Sequence, residues 1–123
     1  MTTTSPIQFK VSVDITTTPP LFTIYDQQGH ATDAPVDVTQ LNTPVTYTLQ
    51  DNQDNLNFVT PEITGDKYGN LDPTISSDGQ TLTLMDSDND NETLCVRLVV
   101  VQGDTHAPRY VSQDPQIRNR PPA

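Results

Sequence analysis

Residues 7–15, Ile-Gln-Phe-Lys-Val-Ser-Val-Asp-Ile, carry apolar side chains at 7, 9, 11, 13 and 15 with polar ones between them. An unbroken period of two over nine residues puts every apolar group on one face of an extended chain, which is a half-buried strand and not a helix. The pattern returns at Val45-Thr-Tyr-Thr-Leu49 and at Thr81-Leu-Thr-Leu-Met85. No stretch shows helical spacing with caps. Turn formers separate the runs: Thr16–Pro20, Asp26-Gln-Gln-Gly29, Asp51–Asn55, Gly65–Gly69 and Ser77-Asp-Gly-Gln80. Asp78-Gly79 between two alternating segments predicts a hairpin with a type I′ turn.

Further strands are expected at Leu21–Tyr25, around Val36 and Val38, at Asn57–Ile63 and near Thr74–Ser76. Pro61 puts the 57–63 segment at an edge or a bulge. Thr93-Leu-Cys-Val-Arg-Leu-Val-Val-Val101 is apolar on nearly both faces and is the candidate central strand. Seven or eight short strands with turns every eight to twelve residues predict an all-β fold, an antiparallel β-sandwich of immunoglobulin-like topology. A small barrel is the alternative. The Cys–Trp–Cys core of antibody domains is absent, since the chain has no Trp and one Cys. Only 33% of residues are apolar, which suits a thin sandwich with one polar face per sheet.

The 123 residues suit a single core. They divide into a sandwich over 1–106 and an extended coil or arm over 107–123, with prolines at 108, 115, 121 and 122. The formal net charge is −10. An acidic field of this size repels phosphate backbones and anionic lipid, so neither nucleic acid nor a membrane surface is an expected partner. The charge is uneven. Residues 1–96 hold fourteen acids against Lys10 and Lys67, whereas Arg97, Arg109, Arg118 and Arg120 outnumber Asp104 and Asp114 beyond. The tail is either a frayed terminus or an arm in which Arg109, Tyr110, Ile117, Arg118 and Arg120 dock on the acidic body, its own or a neighbour's. A protein partner, a second copy above all, is the expectation.

Asp86, Asp88, Asp90 and Glu92 place carboxylates at alternate positions. Calcium takes six to eight oxygens, and such loops can supply them. The helix–loop–helix form does not fit, because Asn91 replaces its glycine and Arg97 its final glutamate. The loop is therefore either a solvated connection or a Ca²⁺ site, and no other cofactor is expected. His30 and His106 are isolated and read as surface residues, Cys95 as a buried, inert thiol, and Tyr47 as core. The aspartates all fall in turn-like segments, where carboxylates stay solvated. No nucleophile elbow or phosphate loop is present. The expected function is that of a non-enzymatic protein–protein interaction module. A Ca²⁺-binding module using 86–92 and an enzyme with a site assembled from distant loops are the alternatives. The start, Met1–Pro6, has neither a basic nor an apolar leader region, and the chain reads as cytoplasmic.

Two segments resemble the DP-EP family, a small bacterial group with no assigned activity. They are Ser77-Asp-Gly-Gln-Thr-Leu-Thr-Leu-Met-Asp-Ser-Asp88, followed by the Val-rich strand, and Asp114-Pro-Gln-Ile-Arg-Asn-Arg-Pro121. The resemblance covers roughly residues 77–121. It implies a bacterial origin and a compact β fold, and it carries no site.

Overall fold

The computed structural model describes residues 6–17, 20–32, 36–39, 42–50, 55–66, 69, 71–87, 92–103, 109–112 and 116–119; for 92, 116, 118 and 119 it describes the backbone alone. Among these residues there is no helix, and ten strands run in chain order: β1 (Ile7–Asp14), β2 (Leu21–Tyr25), β3 (Val36–Val38), β4 (Thr43–Leu49), β5 (Leu56–Thr64), β6 (Leu71–Ile75), β7 (Thr81–Asp86), β8 (Glu92–Gln102), β9 (Tyr110–Val111) and β10 (Gln116–Asn119). The fold is all-β, as the alternation requires. The first sheet has the order β2-β1-β4-β7-β6. The second has the order β3-β10-β8-β5, with β9 also paired to β8.

One core joins the two sheets. The first contributes Val11, Val45, Tyr47, Leu49, Leu82 and Leu84; the second contributes Val38, Phe58, Leu94, Val96, Leu98 and Ile117. In β4 every second side chain is buried, from Thr43 to Leu49, so the period-two reading fixes its face. Phe9 lies flat against Tyr47, with ring centroids 5.3 Å apart. In β8, Leu94, Val96, Leu98 and Val100 face this core, and Val99 and Val101 are also buried on the opposite face. The strand has neighbours on both sides, β5 on one and β10 with β9 on the other.

Three features differ from the sequence reading. The pairing is mostly antiparallel, but β1 runs parallel to β4 and β10 parallel to β3. Between β1 and β4 the chain crosses to the second sheet as β3 and returns, which is how a parallel neighbour arises without a helix. The immunoglobulin arrangement lacks such a central parallel pair. Second, the described parts of residues 107–123, read as an extended coil or arm, supply β9 and β10. Third, the 76–80 turn is not type I′, since positive φ occurs at Gly79 (73°) and not at Asp78. Its shape comes from the N–H of Gly79 donating to the carbonyl of Ser76, while Asp78 Oδ1 accepts from the Ser76 hydroxyl and the Gln80 N–H.

Open strand edges invite uncontrolled pairing, and this fold blocks several of its own. The tip of the β6–β7 hairpin docks on β5: Phe58 N–H donates to Gly79 O at 2.8 Å, and Gln80 Nε2 donates to Leu56 O at 3.0 Å. β5 also carries Pro61 and a register shift between Val59 and Glu62, as expected for an edge. Pro73 interrupts the donors of edge strand β6. Ala31 bridges to Tyr25 on the outer side of β2, and Thr32 N–H donates to Ile24 O.

Tyr47 is buried, and its hydroxyl makes no hydrogen bond among the described residues. Burial pushes its ionisation well above the ordinary tyrosine range. An unsatisfied buried hydroxyl costs about 1–3 kcal/mol. Tyr47→Phe keeps the ring stack and removes that cost, so we expect an unchanged or raised thermal midpoint. A fall of more than a few degrees in a melting experiment would show that the hydroxyl has a partner.

Candidate functional site

Asp86 is the last inward-facing residue of β7, in line with Leu82 and Leu84, and it is wholly buried. The expectation that every aspartate stays solvated fails there, because the alternation of β7 carries the carboxylate inward. Its cross-strand neighbours are Thr43, also buried, and Leu71. Asp86 Oδ2 accepts no hydrogen bond among the described residues, although the residue makes other interactions. Asp88 and Asp90 lie outside the described residues, and Glu92 is described by its backbone at the start of β8. Of the expected ligand set, therefore, only Asp86 has its side chain among the described residues.

The C-terminal residues are placed more fully. Arg109 is exposed, and Tyr110 is half-buried and packs against the core. Ser112 is buried and satisfies both backbone groups of Leu98: its Oγ accepts the Leu98 N–H at 2.7 Å, and its N–H donates to Leu98 O at 2.8 Å. Ile117 is wholly buried, opposite Leu94 on one side and Val36 on the other. Arg118 is described by its backbone, in register with Thr93 and Asp37, and Arg120 lies outside the described residues.

Cys95 is half-buried rather than fully buried, because the alternation that sends Leu94 and Val96 inward sends it outward. His30 is exposed, as expected, and its backbone N–H donates to Asp26 Oδ1; His106 lies outside the described residues. Two exposed aspartates are held below the ordinary carboxylate range. The Thr16 hydroxyl and N–H do this to Asp14, and the Ser76 hydroxyl and Gln80 N–H do it to Asp78. Both are turn-stabilising contacts.

Sequence reasoning did not find one concavity among the described residues. It is an open groove of about 800 Å³ on the outer face of the first sheet. One row of outward residues crosses four strands as Tyr25, Lys10, Thr48 and Thr81. The next runs Gln8, Thr46, Thr83 and Thr74. Gln50 joins the lining, with its Nε2 donating to Ser12 Oγ at 3.2 Å. The Asp26–Gly29 turn forms one wall, braced by Asp26 Oδ1, which accepts the N–H groups of Gln28 and His30. Lys10 is the only charged residue in these two rows, on a chain of net charge −10. The signal lay in the groove-lining outward positions of β1, β4 and β7, namely Gln8, Lys10, Thr46, Thr48 and Thr81, which carry no carboxylate on a chain rich in Asp.

A two-sheet β domain with a polar groove on one face and its C-terminal strand set inside the other sheet is what these residues define. No helix among the described residues is long and apolar enough to cross a membrane. The chain belongs to the DP-EP family, whose model matches residues 5–121. The match extends well beyond the 77–121 segment that carries the visible resemblance. A search of curated proteins finds no match.

Proposed function

We propose that this protein is a non-enzymatic protein–protein interaction module whose partner is a second copy of the chain and whose exchanged element is β10. One observation carries this reading: β10, the last of the described strands, lies between β3 and β8 instead of at an edge. Without it, the 92–95 stretch of β8 loses its antiparallel neighbour on the side away from β5, β3 loses the strand it pairs with, and the core loses Ile117. The remainder is then a slot shaped for one extended segment, as in recognition by strand addition. The same slot accepts the strand of its own chain or of a neighbour with identical contacts, so exchange makes a closed two-fold dimer at little energetic cost. The blocked edges at β2, β5 and β6 favour this slot over other routes of strand pairing.

A single substitution tests the reading, because Gln116 lies directly opposite Cys95. Cα atoms of such antiparallel pairs are about 4.5–5.5 Å apart. That falls within the span of about 4.4–6.8 Å that a disulfide bridges. Gln116→Cys, refolded and then oxidised, should give a covalent dimer whose share rises with protein concentration during refolding. Non-reducing electrophoresis reads the result, and Cys95→Ser is the control. A covalent monomer alone, at every concentration, would exclude exchange.

A further inference from the structure

From the groove on the first sheet, we infer that the protein has a binding site for an uncharged oligosaccharide. The site lies on the opposite sheet from the exchanged strand and is independent of that reading. Three observations carry it. The first is chemical. Each sugar hydroxyl both donates and accepts a hydrogen bond, and so do the threonine hydroxyls and glutamine amides that make up this face. Thr46, Thr48, Thr81, Gln8 and Gln50 line the groove together, and Thr48 Oγ1 and Thr81 Oγ1 are 3.4 Å apart across β4 and β7. Partly occupied hydroxyl pairs of this kind keep donors and acceptors in reserve for a ligand.

The second observation is electrostatic. A chain of net charge −10 has kept its carboxylates out of two adjacent rows of this face. Anionic ligands would meet the acidic surroundings at long range, whereas a neutral ligand loses nothing there. The third is shape. Four strands at about 4.8 Å spacing lay the face out over roughly 14 Å, enough for several linked sugar rings. Tyr25 stands at one end beside Lys10, half-exposed, where its ring can lie against the C–H face of a sugar.

The groove binds and does not cleave. Glycoside hydrolysis ordinarily needs two carboxyl groups facing each other across the bond. Among the described residues the lining holds one, Asp26, and its Oδ1 is engaged in bracing the turn.

The test is a titration of the full chain with soluble oligosaccharides of glucose, xylose, mannose and galactose, beside anionic galacturonate and sulfated sets. Backbone amide NMR shifts are followed. At least one uncharged set should bind at millimolar or lower concentration, with the largest shifts at Gln8, Lys10, Thr46, Thr48 and Thr81 and little dependence on salt. Tyr25→Ala should weaken binding at least tenfold, whereas Tyr25→Phe should retain it. Gln8→Ala, at an exposed position, should weaken it several-fold with an unchanged melting temperature, which guards against a fold defect in the tyrosine variant. Three results overturn the inference. One is no binding by any uncharged set. Another is binding restricted to anionic sugars and lost in salt, which makes the site a Lys10 charge contact. The third is concentration-dependent self-association abolished by the same substitutions, which assigns the face to a second copy.

Discussion

Ile117→Ala should lower the unfolding free energy by about 2–5 kcal/mol, the range for truncating a fully buried isoleucine. Ile117 has no exposed surface and sits in the shared core, although it belongs to the last of the described strands. Whole domains are stable by only about 5–15 kcal/mol, so this one truncation removes a large part of the margin. Ile117→Asp should prevent cooperative folding at room temperature, because a charge would enter the core without a partner. Removing residues 113–123 should act at least as strongly. It takes away Ile117 and the backbone partners of both β3 and β8. Urea denaturation followed by circular dichroism measures all three. A loss below about 1 kcal/mol for Ile117→Ala would match an ordinary surface change, and the placement of β10 would then be wrong.

The reach of sequence reading here follows from what each feature depends on. Strands β1, β4 and β7 were legible because one face of each is core and the other is solvent, so the alternation is written into neighbouring residues. β8 was legible as a central strand because both of its faces are buried. β10 was not. It has a single inward apolar residue, Ile117, flanked by Gln, Arg and Asn, and no period can be read from one point. Its identity as a strand depends on backbone partners at 36–38 and 92–95, far away in sequence. The parallel β1–β4 pair was hidden for the same reason, since it follows from the route of the chain between sheets. Asp86 looked like one member of a solvated acidic run; only the register of β7 turns it inward. The groove gathers residues from 8–10, 25–29, 46–50 and 81, and no local motif links them. Composition by face, and not along the chain, was the signal available for it.

The β6–β7 hairpin offers a second large effect with an internal control. Gly79 and Gly29 occupy similar left-handed turns, at φ 73° and 83°. For an L side chain that conformation costs roughly 1–2 kcal/mol in either turn. Their surroundings differ. A Cβ on Gly29 meets nothing within 4 Å. A Cβ on Gly79 falls 2.8 Å from Asn57 Oδ1 and 2.9 Å from Asn57 Cβ. Asn57 cannot easily retreat, because its Nδ2 donates to Gly103 O at 2.9 Å and its Oδ1 accepts from Gln80 Nε2 at 3.2 Å. Forcing a methyl group into that contact adds an overpacking cost of about 1–3 kcal/mol. It also strains the Phe58 N–H bond to Gly79 O that seals the edge of β5. Gly79→Ala should therefore destabilise the domain by about 2–5 kcal/mol, whereas Gly29→Ala should show the conformational part alone. Paired thermal and urea melts give the difference directly. Loosening the seal should also expose the β5 edge to pairing, so Gly79→Ala should aggregate on heating more readily than Gly29→Ala. Equal costs for the two substitutions would mean that the hairpin tip does not press on β5, and the edge would then depend on Pro61 and its bulge for protection.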